Sequence, residues 1–235
     1  MDIQHYALTI AVTLRLQSRS GRVRVIAEAR EDVEAQGERL QATEDDGGAT
    51  LQVRAGRGSG NLVVRCPAGT DIVVGTHSGG VRLEGQFGDV SITTMSGTID
   101  LEAADQADLR TMSANITVGS CAGAARTSSI SGTINGGRTG SAVASTMSGS
   151  ITFEHVRGEF RARSVGGSIA AVCDGEGAIA VKTVSGTVRI TLPAGMRLEA
   201  CCKTMSGRIE CPFPVGNDLR VDAISVSGSI QVVPS

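Results

Sequence analysis

Along this chain, apolar residues recur at every second position in short runs, and each run closes on a Ser-Gly pair or a variant of one. Ile72/Val74 precede Ser78-Gly79, Val90/Ile92 precede Ser96-Gly97, and Ala107/Leu109 precede Ser113-Ala114. Ile179/Val181 precede Ser185-Gly186, and Val221/Ala223 precede Ser227-Gly228. Three residues after the central Ser, every copy carries Val or Ile: Val81, Ile99, Ile116, Ile134, Ile151, Ile169, Val188, Ile209 and Ile230. Spacing by two is strand periodicity, and β-branching in every copy suits a pleated strand better than a helix.

The copies align on residues 78, 96, 113, 131, 148, 166, 185, 206 and 227, with steps of 18, 17, 18, 17, 18, 19, 21 and 21. A period of this size marks a stacked repeat. Each unit reads as a strand, a Ser-Gly corner, a second strand and a return turn. Successive units stacked at about 4.8 Å turn every column into a ladder. Two residues before the central Ser the column is Thr or Ser, a hydroxyl ladder; three after it, an aliphatic one. The glycine suits a corner with positive φ, and Ala114 departs from it. The expected fold is therefore all-β, a single-chain β-solenoid of about nine to ten coils.

The column just before the central Ser holds Met95, Met112, Ile130, Met147, Val165, Val184, Met205 and Val226, with His77 as the exception. It is expected to fill the corner of the core. The alternative is an exposed apolar stripe, and alternation cannot decide because the corner resets it. The core is expected to be thinnest in the middle, where Ala125, Thr127, Gly136, Ala142 and Ala144 take the inward places.

Residues 1–70 read as an irregular β cap and residues 71–235 as the solenoid repeats. Tyr6, Leu8, Ile10, Val12, Leu14 and Leu16 alternate, which predicts a strand, and Ser20-Gly21-Arg22-Val23 repeats the signature as a divergent first coil. Glu28 to Gly48 is acidic and polar, a loop or polar hairpin; Ala49–Val53 and Asn61–Val64 read as strands. Gly56, Gly58 and Gly60 read as a plain turn, since no P-loop Lys-Ser/Thr follows them. Cys66-Pro67-Ala68-Gly69 recurs as Leu192-Pro193-Ala194-Gly195, and the second copy coincides with a 21-residue step. The C-terminal strand Ser229–Val233 is expected to form an open edge.

Composition narrows the functions. With no Trp, one Tyr and four Phe, the chain lacks the aromatic platforms that sugar-cleaving β-helices use, so a polysaccharide-active enzyme is disfavoured. A formal net charge of −2 argues against nucleic-acid binding. No apolar run is long enough for a transmembrane helix and no signal peptide is legible, so the expected compartment is cytoplasmic. The six cysteines form no C-x-x-C pair and are expected to be reduced, mostly buried residues, with no metal site. No cofactor is expected. The repeated serines lack any recurring His or acid partner, so no catalytic residues are assigned.

One outward pattern stands out. Arg110, Arg126, Arg161, Arg163, Lys182 and Lys203 occupy outward positions of the upstream strands, against Asp108 and Asp222. The downstream strands carry Glu84, Asp100, Glu102, Glu154 and Glu210 against Arg82 and Arg189. The six basic residues are a candidate interaction face for an anionic partner or for self-association.

The Ser-Gly-x-Ile/Val repeat, with Pro-Ala-Gly-Thr before the first regular copy, resembles a bacterial domain family of unknown function labelled as candidate adhesins. The resemblance covers roughly residues 18–233. It implies a β-solenoid or β-roll, a place at the cell envelope and, for some members, a link to envelope-stress regulators. It brings no catalytic residues. The expected function is a non-catalytic, adhesin-like scaffold or binding protein with a protein partner or self-association. The alternative is a self-assembling cytoplasmic polymer, to which bactofilins are an analogy by architecture.

Overall fold

The computed structural model describes residues 2–7, 13–37, 40–45, 50–55 and 61–235. Among them lie 21 strands and no helix. The chain divides into two compact units, Met1–Ser120 and Cys121–Ser235.

In the N-terminal unit parallel strands stack in register. Leu14 pairs with Ile72, Ile72 with Val90 and Val90 with Ala107 on one wall. Val23 pairs with Val81 and Val81 with Ile99 on the other. All seven side chains are at most 3% exposed. Ser18 pairs with Thr76 and Ser20 with Ser78, so the divergent coil at Ser20 is a coil like the rest. Unequal repeat lengths are absorbed locally. Between Leu101 and Ala103 the register against the preceding coil shifts; the extra residue is Gly85, at φ 99°, whose N–H donates to the Glu102 carboxylate at 2.9 Å.

The strands Thr50–Arg54 and Leu62–Pro67 make a further coil. Leu51 pairs with Leu14, Val53 with Leu16 and Leu62 with Val23. The first coil therefore lies between residues 50–67 and residues 71–84, and the Cys66-Pro67-Ala68-Gly69 turn carries the chain past it. Gly69, at φ 77°, forms that turn. Outside the 50–67 coil the direction reverses. Asp32–Gly37 pairs antiparallel with Leu62–Pro67, Gln41–Asp45 with Thr50–Arg54, and Asp2–Ala7 with Asp32–Gly37. Val33 and Ala35 are fully buried beneath this cover. The acidic stretch is thus two capping strands that pair with the coil, in place of a loop or a hairpin closed on itself. The alternation from Tyr6 to Leu16 resolves into Asp2–Ala7 and Thr13–Ser20; Leu8, Ile10 and Val12 lie outside the described residues, as do Gly56, Gly58 and Gly60.

In the C-terminal unit the aliphatic ladder runs Ile134, Ile151, Ile169, Val188, Ile230, Ile209 in order of pairing. Ile230 precedes Ile209 because the last segment of the chain is inserted. Leu219–Ser227 pairs with Ile179–Ser185 on one side and with Leu198–Ser206 on the other. The outermost coil is consequently residues 198–210: Ile209 and Glu210 cover Ile230 and Gln231, so the open edge expected at Ser229–Val233 is left only beyond Gln231, and on the other wall the edge is Leu198–Ser206. The Leu192-Pro193-Ala194-Gly195 turn is where the chain jumps the place its own C-terminus fills, as Cys66–Gly69 does in the other unit. The small residues expected to thin the core are compensated. Gly136 pairs with Phe153, whose ring fills the space a Cβ would take. Phe160 stands over Ala142, and the two rings meet edge to face at 5.7 Å.

The corner glycines have a reason beyond torsion. A Cβ on Gly97 would meet the carbonyl of Gly79, on Gly149 that of Gly132, and on Gly167 that of Gly149. Successive corners approach so closely that the carbonyl of one coil occupies the side-chain place of the next. The hydroxyl column turns inward and partly serves those carbonyls. Thr146 donates to Gly132 O and Ser164 to Gly149 O, both at 3.4 Å, and Thr204 to Gly228 O at 3.1 Å.

Cys66, Cys121 and Cys173 are buried, Cys202 and Cys211 half-buried and Cys201 exposed. Burial pushes the thiols of Cys66 and Cys202 up to about 11 and that of Cys173 up to about 12.

Gly167→Ala, at φ 155° and against the Gly149 carbonyl, is expected to lower stability by about 1–3 kcal/mol through overpacking and backbone strain. Gly166→Ala, whose Cβ would find only Met147 O at 3.8 Å, is expected to be close to neutral. Urea midpoints of the two variants check the pair, and equal losses would sink the carbonyl-contact explanation. A thiol near 12 is about one part in ten thousand thiolate at pH 8. Native protein is therefore expected to react with maleimide at Cys201 and to keep Cys66 and Cys173 unlabelled. These thiols hold their protons more tightly folded than unfolded, so stability is expected to fall as the pH rises above about 9.

Candidate functional site

Strand alternation determines which columns face out. Most upstream strands continue through the central Ser or its Gly equivalent, as Asp71–Ser78, Phe160–Gly166, Ile179–Ser185 and Leu219–Ser227 do; Val81–Thr94 and Ile99–Thr111 stop two residues before it. The Thr/Ser column two residues earlier faces the core: Thr94, Thr183 and Ser225 are at most 4% exposed. The residue between must therefore point outward. Met95 and Met112 do so in the N-terminal unit, and Ile130, Met147, Val165, Val184, Val226 and Met205 in the C-terminal unit, each more than 40% exposed. The expectation that this column fills the core is overturned: in the C-terminal unit the strand runs through the central Ser, so the corner does not reset the alternation before it, and at Met95 and Met112, just past their strand ends, the side chains are exposed all the same.

In the C-terminal unit the stripe follows the order of coil pairing: Ile130, Met147, Val165, Val184, Val226, Met205. At about 4.8 Å per coil it runs for roughly 24 Å. Beside it, two residues earlier on each strand, lie Ser128, Ser145, Arg163, Lys182, Ile224 and Lys203. Ser145 donates to Ser128 at 3.2 Å. Arg163 pairs in register with Lys182, and Lys182 with Ile224, which separates it from Lys203. Arg161, one outward position further along, stands opposite Val143 and Ala180 and bonds Glu159 at 2.6 Å.

The candidate basic residues are thus placed unequally. Arg161, Arg163 and Lys182 share two adjacent coils, with Lys203 two coils beyond Lys182. Arg126 is exposed in the C-terminal unit, and Arg110 belongs to the N-terminal unit, where Asp108 holds it at 2.9 Å. Arg126, Arg163, Lys182 and Lys203 have no ion pair among the described residues, so their charge is available. The downstream face is not uniformly acidic. Glu84 is bonded by Arg24 at 2.7 Å and Arg82 at 2.8 Å, and the Arg24 hydrogen bond holds its carboxyl below the usual range. Arg189 bonds Gln231 there.

Catalytic groups do not converge on the stripe. Ser78, Ser96, Ser148, Ser185 and Ser227 are exposed and, among the described residues, carry no side-chain bond to a histidine or a carboxylate. Among the described residues no three His, Cys, Asp or Glu side chains are placed to hold a metal ion. An open cleft lined by Gln17, Ser18, Arg19, Arg54, Ala55 and His77 lies in the N-terminal unit; its cationic side chains are exposed, and it shares the corner column through Arg19 and His77.

No curated protein matches the chain. Among solved structures, a candidate adhesin from Bacteroides fragilis is 11% identical, covers 100% of this chain and 96% of its own, and superposes with a TM-score of 0.43. A candidate cell adhesion protein from Clostridium sporogenes is 7% identical, covers 100% and 98%, and has a TM-score of 0.24. The sequence profile of one family spans residues 12–232, from the first described coil to the strand inserted at the C-terminal end, and the chain belongs to that family, Toastrack DUF4097.

Proposed function

We propose that this protein is a non-catalytic scaffold that binds an anionic protein partner along the C-terminal unit. The observation that carries the reading is the exposed apolar stripe flanked by basic side chains without internal partners. Val165, Val184 and Val226 supply apolar area on adjacent coils, and Arg163, Lys182 and Lys203 supply long-range attraction beside it. An acidic segment with alternating apolar side chains fits both columns at once. Charge of this kind raises the association rate and selects partners, while the apolar stripe supplies the contact that lasts. The label of adhesin borne by similar proteins is compatible with a binding role. Among the described residues no helix is long and apolar enough to cross a membrane, and a place at the envelope is what the family resemblance implies. A second reading, self-assembly, rests on a different feature, the outermost coil of the C-terminal unit.

A photo-crosslinking residue placed at Val165 or Val184 is expected to capture one and the same acidic protein in extracts of the cells that make this chain. The same residue at Thr152, exposed on a downstream strand, is expected to capture nothing in common. Arg163→Glu with Lys182→Glu is expected to weaken capture by about tenfold or more, and so is raising the salt from 0.05 to about 0.5 M. Equal capture from Thr152, or capture indifferent to salt and charge reversal, overturns the reading.

A further inference from the structure

The two units treat their outermost coils differently. In the N-terminal unit the edge strands Thr50–Arg54 and Leu62–Pro67 are each covered by an antiparallel strand. In the C-terminal unit Leu198–Ser206 beyond Leu198, and Ile209–Glu210, pair only inward among the described residues, with Leu219–Ser227 and Ile230–Pro234. Only the start of that edge is blocked: Leu198 N–H donates to Pro214 O at 2.9 Å, and Leu198 O accepts from Gly216 N–H at 3.1 Å. The core columns are laid open as a result. Ile209 is 42% exposed, whereas the other members of its ladder are at most 1% exposed. Ala200 is exposed and Cys202 and Thr204 half-buried, although their register partners Val221, Ala223 and Ser225 are buried.

The Leu198 bonds also fix which backbone groups are free. Its N–H and C=O point away from the neighbouring strand, so by strand alternation those of Ala200, Cys202 and Thr204 do too. We propose that this edge is covered by the same edge of a second copy, antiparallel about a twofold axis at Cys202, giving a closed dimer. In that register Cys202 faces Cys202 and Ala200 faces Thr204, all three with side chains on the core side. The three residues of each copy then exchange about six backbone hydrogen bonds. On the outer side Glu199 becomes the diagonal neighbour of the other copy's Lys203, within reach of long side chains. In the Cys202 register the Pro214–Gly216 segment meets only Ser206 of the other copy, where the strand ends, whereas a shift centred on Cys201 would bring Thr204 against it and centring on Lys203 would place two lysines face to face. Head-to-tail growth is disfavoured because it needs a free parallel edge in the N-terminal unit, where antiparallel strands cover both. An isologous contact closes after two copies.

Ala200→Pro tests the pairing with little cost to the fold, since it removes an N–H that points outward. Sedimentation of the full chain at tens of micromolar is expected to show a dimer. Ala200→Pro is expected to raise its dissociation constant about tenfold to a hundredfold, with the circular dichroism unchanged. Lys203→Glu alone is expected to weaken the dimer, and Glu199→Lys together with Lys203→Glu to restore it, which decides the matter even if the proline variant folds poorly. Mild oxidation of a Cys201→Ser, Cys211→Ser chain is expected to give a covalent dimer that Cys202→Ser abolishes. A monomer at every concentration overturns the proposal. So do oligomers that grow beyond two and a dimer indifferent to all of these substitutions.

Discussion

The structure depends on how closely the corners of successive coils approach. Parallel strands set the coil spacing near 4.8 Å, and at the glycine corners this leaves room for a carbonyl and no side chain; only the Ala114 corner carries a Cβ. Each glycine accepts the carbonyl of the coil beside it, Gly167 that of Gly149 and Gly149 that of Gly132. The Thr and Ser residues two positions before the central Ser then turn their hydroxyls inward toward the same carbonyls. Where the hydroxyl reaches, as from Thr146 to Gly132, the corner is tied to its neighbour. At Thr76, Thr94, Thr111 and Thr183 the buried hydroxyl finds no partner among the described residues. Small size and β-branching explain the column better there than hydrogen bonding does.

That contact also explains why the ends are built out of chain order. A coil gains most when both of its faces are covered, and chain termini fray when they are not. In the N-terminal unit the first coil is held between residues 50–67 and 71–84. In the C-terminal unit the last coil is held between residues 179–192 and 198–210. The glycines record the insertion: a Cβ on Gly228 would meet Gly186, and one on Gly207 would meet Gly228. Each insertion needs a link that crosses two spacings, about 9.6 Å, and in both units that link is a Pro-Ala-Gly turn.

Much of this was legible in the residues. The Ile/Val column, the alternating apolar pairs and the first coil at Ser20 all follow from periods of two and about eighteen, which local sterics dictate. Three features were hidden because they depend on what lies beside a coil. The insertion of Ile230 between Val188 and Ile209 leaves only a few extra residues and a repeated Pro-Ala-Gly as its trace. Gly136 and Phe153 hold the same place in successive copies, but that the ring turns into the space beside the glycine depends on packing the period does not specify. The stripe at Met147 and Val165 was ambiguous because its direction turns on whether the strand ends before or after the central Ser.

Function then has little room inside the repeat. The glycine, the hydroxyl and the Ile or Val of each copy are committed to stacking, and none projects a reactive group into a cleft. What varies from coil to coil is the outward columns, and there the stripe keeps its apolar character while the column beside it changes from Ser128 and Ser145 to Arg163 and Lys182. A column bound only by solvent has no folding reason to remain Met, Val or Ile, since exposed apolar area invites association. In the N-terminal unit the same column begins as Arg19 and His77 and becomes Met95 and Met112. Apolar side chains at this position are thus not demanded by the corner, which accepts arginine and histidine equally well. On the proposed reading, contact with a partner is what their presence on six coils of the C-terminal unit serves.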